Sequence, residues 1–200
     1  RVMSHLEFCH QALWPDLDVQ YASVTEQWAQ LAVAGPKARA TLAKIVAEDI
    51  SDDACPLLAA LPVTVLGHIR ARLFRISFSG ELGFEIATPA GHGLALWEAL
   101  LKAGEAHGVM PYGTEALHVM RAEKGFIMIG DETDGTVTPQ DLNLGWAVSK
   151  KKADFIGKRA QERADLMRAG RKQLVGLRSE DPATVLPDGA HAVKRVREHQ

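Results

Sequence analysis

Residues 75 to 86 read Arg75-Ile76-Ser77-Phe78-Ser79-Gly80-Glu81-Leu82-Gly83-Phe84-Glu85-Ile86. Two β-rich arms, Phe74 to Phe78 and Phe84 to Thr88, flank a Ser-Gly-Glu-Leu-Gly segment, which is the composition of a hairpin. Of its two carboxylates, Glu85 falls inside the returning strand, and a strand excludes a carboxylate from a buried face unless a polar partner waits there. Glu85 is therefore the first candidate functional residue, while Glu81 reads as a turn residue.

Working outward, Val63 to Leu66 and Ile69 to Phe78 are β-branched or alternating, and Glu85 to Thr88 stops at Pro89, so an antiparallel meander is expected. Upstream, Trp28 to Val33 alternates as a strand. Gly35-Pro36 then sets proline at a first helical position, before a helix Ala38 to Val46 with Leu42, Ile45 and Val46 on one face. Downstream, Leu94 to Ala106 reads as a helix with Leu94, Trp97, Leu100 and Leu101 inward. The order of strand, helix, strands and helix predicts an α+β, ferredoxin-like layer: a small antiparallel sheet covered by helices on one face. Residues 1–110 are assigned to this core.

A helix from Val2 to Leu13 is expected ahead of the core, with Val2, Leu6, Cys9 and Leu13 on one face and Trp14-Pro15 closing it. Residues 111–200 are read as a second α+β part, truncated at its C-terminal end. Pro111-Tyr112-Gly113 breaks the chain, and Thr114 N-caps a helix that runs through Lys124 to Gly125. Phe126 to Ile129 is expected as a short buried strand, Asp154 to Met167 as a helix, and Lys172 to Leu177 as strand-like.

Composition narrows the function. Twenty-three basic against 25 acidic residues leave a net charge of −2, so no basic surplus points to nucleic acid. The apolar runs are shorter than a membrane span needs and no signal peptide opens the chain, so a cytoplasmic protein is expected. Cys9 and Cys55 form no CxxC and are read as reduced thiols. The eight histidines make no HxH or HExxH, so no metal is assigned. No GxSxG or other nucleophile motif is present, and no catalytic residue is assigned.

Several clusters have plain readings. Asp131-Glu132-Thr133-Asp134-Gly135 is a solvated turn without the closing glutamate of a calcium loop. Gly35-Pro36-Lys37 starts a helix and lacks phosphate-loop spacing. Arg121 and Glu123 read as a fold-internal ion pair. Lys150-Lys151-Lys152 is a solvated connector, with an acidic tail as the alternative partner.

The hairpin resembles the Tyr-Thr-Gly-Glu-x-Gly-aromatic-Glu-Ile motif of the glycine cleavage T-protein (aminomethyltransferase) family. Met120-Arg121-Ala122-Glu123-Lys124-Gly125 is similar to that family's Leu-Arg-Leu-Glu-Ala-Gly helix end, and Thr136-Val137-Thr138-Pro139 with Leu144-Gly145-Trp146 to the segment after it. The wording, including Trp14-Pro15-Asp16-Leu17-Asp18-Val19 and Tyr112-Gly113-Thr114-Glu115, is closest to the branch formed by α subunits of heterotetrameric sarcosine oxidases.

The resemblance implies a folate-binding domain cut from a longer oxidoreductase subunit. Its cofactor would be tetrahydrofolate, capturing the carbon of oxidative demethylation as 5,10-methylenetetrahydrofolate. FAD, FMN and NAD would be held elsewhere in the complex, and the partners would be the other oxidase subunits and a folate, polyglutamylated or not. It further implies that Glu85 holds the pterin ring, since a carboxylate accepts two hydrogen bonds at once. Phe78, at the place of a family tyrosine, would be its packing surface.

Two departures follow from the same comparison. Leu117 stands where T-proteins carry an arginine, and a family aspartate near the reacting nitrogens belongs to a segment before residue 1, so the fragment alone is expected to be inactive. The rival reading is a non-catalytic assembly module of the same fold with a decayed folate site. A third, a folate-binding iron-sulfur assembly protein, needs Lys-Gly-Cys where this chain has Lys124-Gly125-Phe126.

Overall fold

A computed structural model describes residues 1–187 and 189–191 and divides the chain into two compact units, Arg1–Phe126 and Ile127–Gln200. The first is built on an antiparallel sheet of β1 (Trp28–Ala34), β2 (Ala60–Val65), β3 (Ile69–Phe74) and β4 (Gly83–Pro89), in the order β1-β4-β3-β2. The expected meander is β2-β3-β4, and β1 adds to its far edge on β4. With its helices the unit is α+β.

Helices α2 (Ala38–Leu42) and α3 (Gly93–Gly104) cover one face of the sheet. Leu42, Leu96 and Leu100 meet Val63, Val65, Ile69, Leu73, Phe84 and Ile86 there in one buried cluster. The apolar positions of each strand alternate, so every second residue reaches this core. Close approach of α3 has a local cause: a Cβ at Gly93 would sit 2.7 Å from the Ala29 methyl.

Several expected elements differ. In α3 the inward pair is Leu96 and Leu100, four residues apart, while Leu94 is 70% exposed and Trp97 39%. The helix at Ala38 ends at Leu42, and Val46 instead bridges to Val65. Strand β3 stops at Phe74 rather than Phe78, because Arg75 still pairs with Ala59 and the chain then turns on its own serines.

At the N-terminus, α1 (Val2–Phe8) continues into π-helical turns over Cys9–Leu13, and of the expected face only Cys9 is buried. Both cysteines are buried and free. Helix α4 (Thr114–Lys124) matches its expected span, but Gly113 occupies the cap position and Thr114 is the first helical residue. Gly125 ends it in the left-handed conformation at φ 77°, where L side chains are disfavoured.

Phe126 to Ile129 is not a strand. The Phe126 N–H caps α4 on the Arg121 carbonyl at 2.8 Å, the Met128 N–H goes to a Glu132 carboxylate oxygen at 2.8 Å, and Ile129 is 81% exposed. The helix expected over Asp154 to Met167 is two single turns, α5 (Lys158–Gln161) and α6 (Ala164–Met167). Lys172 to Leu177 is irregular, because the Leu174 N–H finds the Asp141 carbonyl instead of a neighbouring strand. What holds the second unit is an ion pair between Arg171 and Asp141, with side chains 13% and 7% exposed. No helix among the described residues is long and apolar enough to cross a membrane.

Candidate functional site

The face of the sheet turned away from α2 and α3 is polar and aromatic. By register and alternation it carries Trp28, Gln30 and Ala32 of β1, Glu85 and Ala87 of β4, and Arg72 and Phe74 of β3. Glu85 therefore does not intrude into the core. It stands half-buried on the opposite face, between Ala32 on one neighbour and Phe74 on the other.

Its position is over-determined by the residues around it. Phe84, 1% exposed, is locked into the core side beneath the guanidinium groups of Arg75 and Arg39, whose central carbons lie 4.9 and 5.0 Å from its ring centre. Arg75 Nη1 also donates to the Gly83 carbonyl at 3.0 Å. With Phe84 fixed inward, the pleat turns Glu85 outward. There the Gln30 side-chain amide donates to Glu85 Oε2, while Oε1 accepts no hydrogen bond among the described residues.

Two further groups bear on this face. The phenol of Tyr112 has its pKa pushed up, chiefly by burial and further by the charge of Glu85, which places the two side chains within electrostatic reach. One register step along the sheet, Arg72 stacks on Trp28 with its guanidinium carbon 4.1 Å from the ring centre. The face thus offers a half-buried carboxylate with one oxygen that accepts no hydrogen bond among the described residues, an aromatic ring beside it on β3, and a cation stacked on Trp28 further along. That set can grip a flat heterocycle by its N–H groups and its ring at once.

The loop between β3 and β4 has a packing logic that its composition hid. The Gly80 N–H donates to Ser77 Oγ at 3.0 Å, and Ser79 is buried. Gly80 sits at φ +84°, and a Cβ there would meet Lys124 Cγ at 2.3 Å. At Gly83 a Cβ would lie 2.9 Å from the Ile76 carbonyl. Both glycines are thus demanded by close approach. Glu81 stands in this turn, its N–H donating to Ser79 Oγ at 3.4 Å.

Phe78 lies in the same loop and is 40% exposed, and the aromatic directly across from Glu85 is Phe74. Leu117 is half-buried on α4, and Arg121 is buried, its Nη1 donating to the Phe126 carbonyl at 3.3 Å as part of the helix end.

Residues 1–152 match the family model described as the GCVT N-terminal domain. The chain belongs to that family. It is 53% identical over 195 residues to the sarcosine oxidase subunit alpha of Rhizobium meliloti (strain 1021), covering 97% of this chain and 20% of that one. It is 38% identical over 144 residues to human mitochondrial dimethylglycine dehydrogenase, covering 72% and 16%. An aminomethyltransferase of Streptomyces coelicolor is 36% identical over 166 residues, covering 82% and 44%. The chain spans about a fifth of the length of the sarcosine oxidase relatives it matches.

As a GCVT N-terminal domain, the chain carries on this face more than the hairpin motif announced. Gln30 bonds Glu85, Phe74 faces it across the sheet, and the Tyr112 phenol feels its charge; none of the three was singled out from the sequence. The first had a signal, since a glutamine alternating with leucine and valine in Trp28 to Val33 marks the face turned from the core. Tyr112 had none, because its approach to Glu85 joins segments 27 residues apart in an irregular stretch.

Proposed function

We propose that the chain is the folate-binding part of a subunit similar to sarcosine oxidase subunit alpha, with the polar face of the sheet as the pterin site. One observation carries the reading: the motif carboxylate Glu85 is held on an open face with one oxygen engaged by Gln30 and the other free of donors among the described residues. The chain's identity to sarcosine oxidase α subunits supports the class of parent enzyme.

In this reading Glu85 accepts hydrogen bonds from the amino and ring N–H groups of a pterin, and Gln30 holds the carboxylate in place for them. Phe78 and Phe74 supply apolar surface for the ring, and Tyr112 closes the polar side. When bound, tetrahydrofolate supplies a nucleophilic amine that captures a formaldehyde-level carbon as 5,10-methylenetetrahydrofolate. The protein's own task is to position that amine and exclude water, so a face with few titratable groups suits it. Flavin and nicotinamide chemistry belongs to the rest of the complex, with the other oxidase subunits as partners.

The test is Glu85→Ala in the complete enzyme. Flavin reduction by the amine should remain near wild type, while product shifts from methylenetetrahydrofolate to free formaldehyde. An unchanged folate-dependent yield would remove Glu85 from the site. The rival reading, an assembly module with a decayed site, is favoured by Leu117 and Phe78, which lack polar groups. It predicts intact assembly with no tetrahydrofolate binding by the wild-type subunit.

A further inference from the structure

The two edges of the sheet are finished differently. Along an antiparallel ladder every second residue of an edge strand turns its N–H and C=O away from the sheet. On β2 these include Pro62 and Thr64, because the Arg75 N–H bonds the Ala59 carbonyl directly opposite at 2.9 Å and sets the alternation. Both are sealed. Pro62 has no N–H, the Thr64 N–H donates to a Glu48 carboxylate oxygen at 2.7 Å, and the Thr64 carbonyl accepts the Ala47 N–H at 2.9 Å. Proline and charge are the means by which edge strands are kept from pairing further.

The β1 edge has neither. The Gly35 N–H meets the Leu82 carbonyl directly opposite at 2.9 Å, so Leu31 and Val33 are the residues bonded to β4, and Gln30 and Ala32 turn their N–H and C=O outward. No hydrogen bond from the described residues reaches those four groups. The strand Trp28–Ala34 contains no charge and no proline.

The helix layer above this edge is unfinished as well. Gly93 of α3 faces the Ala29 methyl of β1, and Trp97 and Leu101 follow it at intervals of one turn on the same line of the helix. On the far flank Lys44 Nζ, just beyond α2, reaches the Ala103 carbonyl at 2.7 Å. Trp97 therefore stands on the β1 side, where it and Leu94 are exposed. A further strand would run about 4.8 Å beyond β1, and the side chains it turned toward the helices would come beneath this flank.

We propose that the β1 edge receives a strand from another segment of the parent subunit, bonded to the outward groups of Gln30 and Ala32 and turning alternate apolar side chains toward Trp97 and Leu94. The chain spans about a fifth of the length of the sarcosine oxidase relatives, so a parent of that size has ample chain to supply it. A strand on the same polypeptide keeps an uncharged edge closed at any concentration, whereas a dissociating partner would leave it open to aggregation. The inference rests on the chain's being part of such a subunit. It stands without the pterin reading of Glu85, which Glu85→Ala tests separately.

Hydrogen exchange of the complete enzyme, read by mass spectrometry at residue resolution, tests it. The Gln30 and Ala32 amides should exchange at least about a hundredfold more slowly than in an unstructured chain. Benzoylphenylalanine in place of Trp97 should, on irradiation, cross-link to a residue of the same polypeptide outside residues 1–200, leaving the mass of the subunit unchanged. Unprotected Gln30 and Ala32 amides overturn the paired edge. A cross-link to a second copy, to another subunit or within residues 1–200 overturns the assignment of the strand.

Discussion

The Gln30 amide reaches Glu85 Oε2 diagonally across β1 and β4, since the residue directly opposite Glu85 is Ala32 and Gln30 itself faces Ala87. The methyl of Ala32 leaves the space through which this diagonal bond runs. A carboxylate that would otherwise sweep several rotamers is thereby held on an open face.

Gln30→Leu removes that tether without touching the proposed ligand contact. The affinity of the complete enzyme for a reduced-folate analogue should fall by about tenfold or more, the scale of one hydrogen bond to a charged group at roughly 1.5 to 3 kcal/mol. Thermal unfolding should barely move. Equilibrium binding decides it, and affinity equal to wild type would show that Glu85 needs no help from β1.

Gly80→Ala introduces a Cβ at φ +84° and 2.3 Å from Lys124 Cγ. The strained backbone alone should cost about 1–3 kcal/mol, read as a lower denaturant midpoint. Lys124→Ala combined with it should recover little, because the Cβ of residue 124 still lies 2.5 Å from the new methyl and the left-handed conformation is unchanged.

Thr88 is fully buried on β4, and its hydroxyl has no hydrogen-bond partner among the described residues. Thr88→Val keeps the shape and removes the orphaned oxygen, so it should stabilise the first unit by about 1 kcal/mol. A destabilised variant in urea unfolding would mean that the hydroxyl is satisfied in solution.

Arg171 and its hydrogen bonds hold the Asp141 carboxyl well below the usual carboxylate range, with the Thr138 N–H and hydroxyl adding to the effect. Because the folded value is depressed, the stabilisation is fully present above the unfolded value of about 4 and is lost as pH falls below it. Wild-type unfolding followed by urea between about pH 3 and pH 7 should show this loss. Asp141→Asn should be less stable at neutral pH and show a flatter profile. Arg171→Lys should not restore the wild-type curve, since one ammonium cannot bond Asp141, Thr136 and Asp165 together.

What could be read from residues alone was local or carried by pattern. The alternation in Trp28 to Val33 and the returning strand after Gly83, the left-handed glycine ending α4, and the α+β class all follow from short-range rules of side-chain period and backbone freedom. The hairpin motif likewise led to the right family. Tertiary structure decided which way each face turned and what stood next to it. It put Glu85 on the face away from the helices, chose Leu96 and Leu100 over Leu94 and Trp97 as the inward pair, and set Phe74 rather than Phe78 across from Glu85. It left the stretches expected as strands at Phe126 and Lys172 irregular, with the Phe126 and Leu174 N–H groups taken by the Arg121 and Asp141 carbonyls. Helical and strand periods fix spacing along one element, whereas facing and pairing depend on the other elements that bury it.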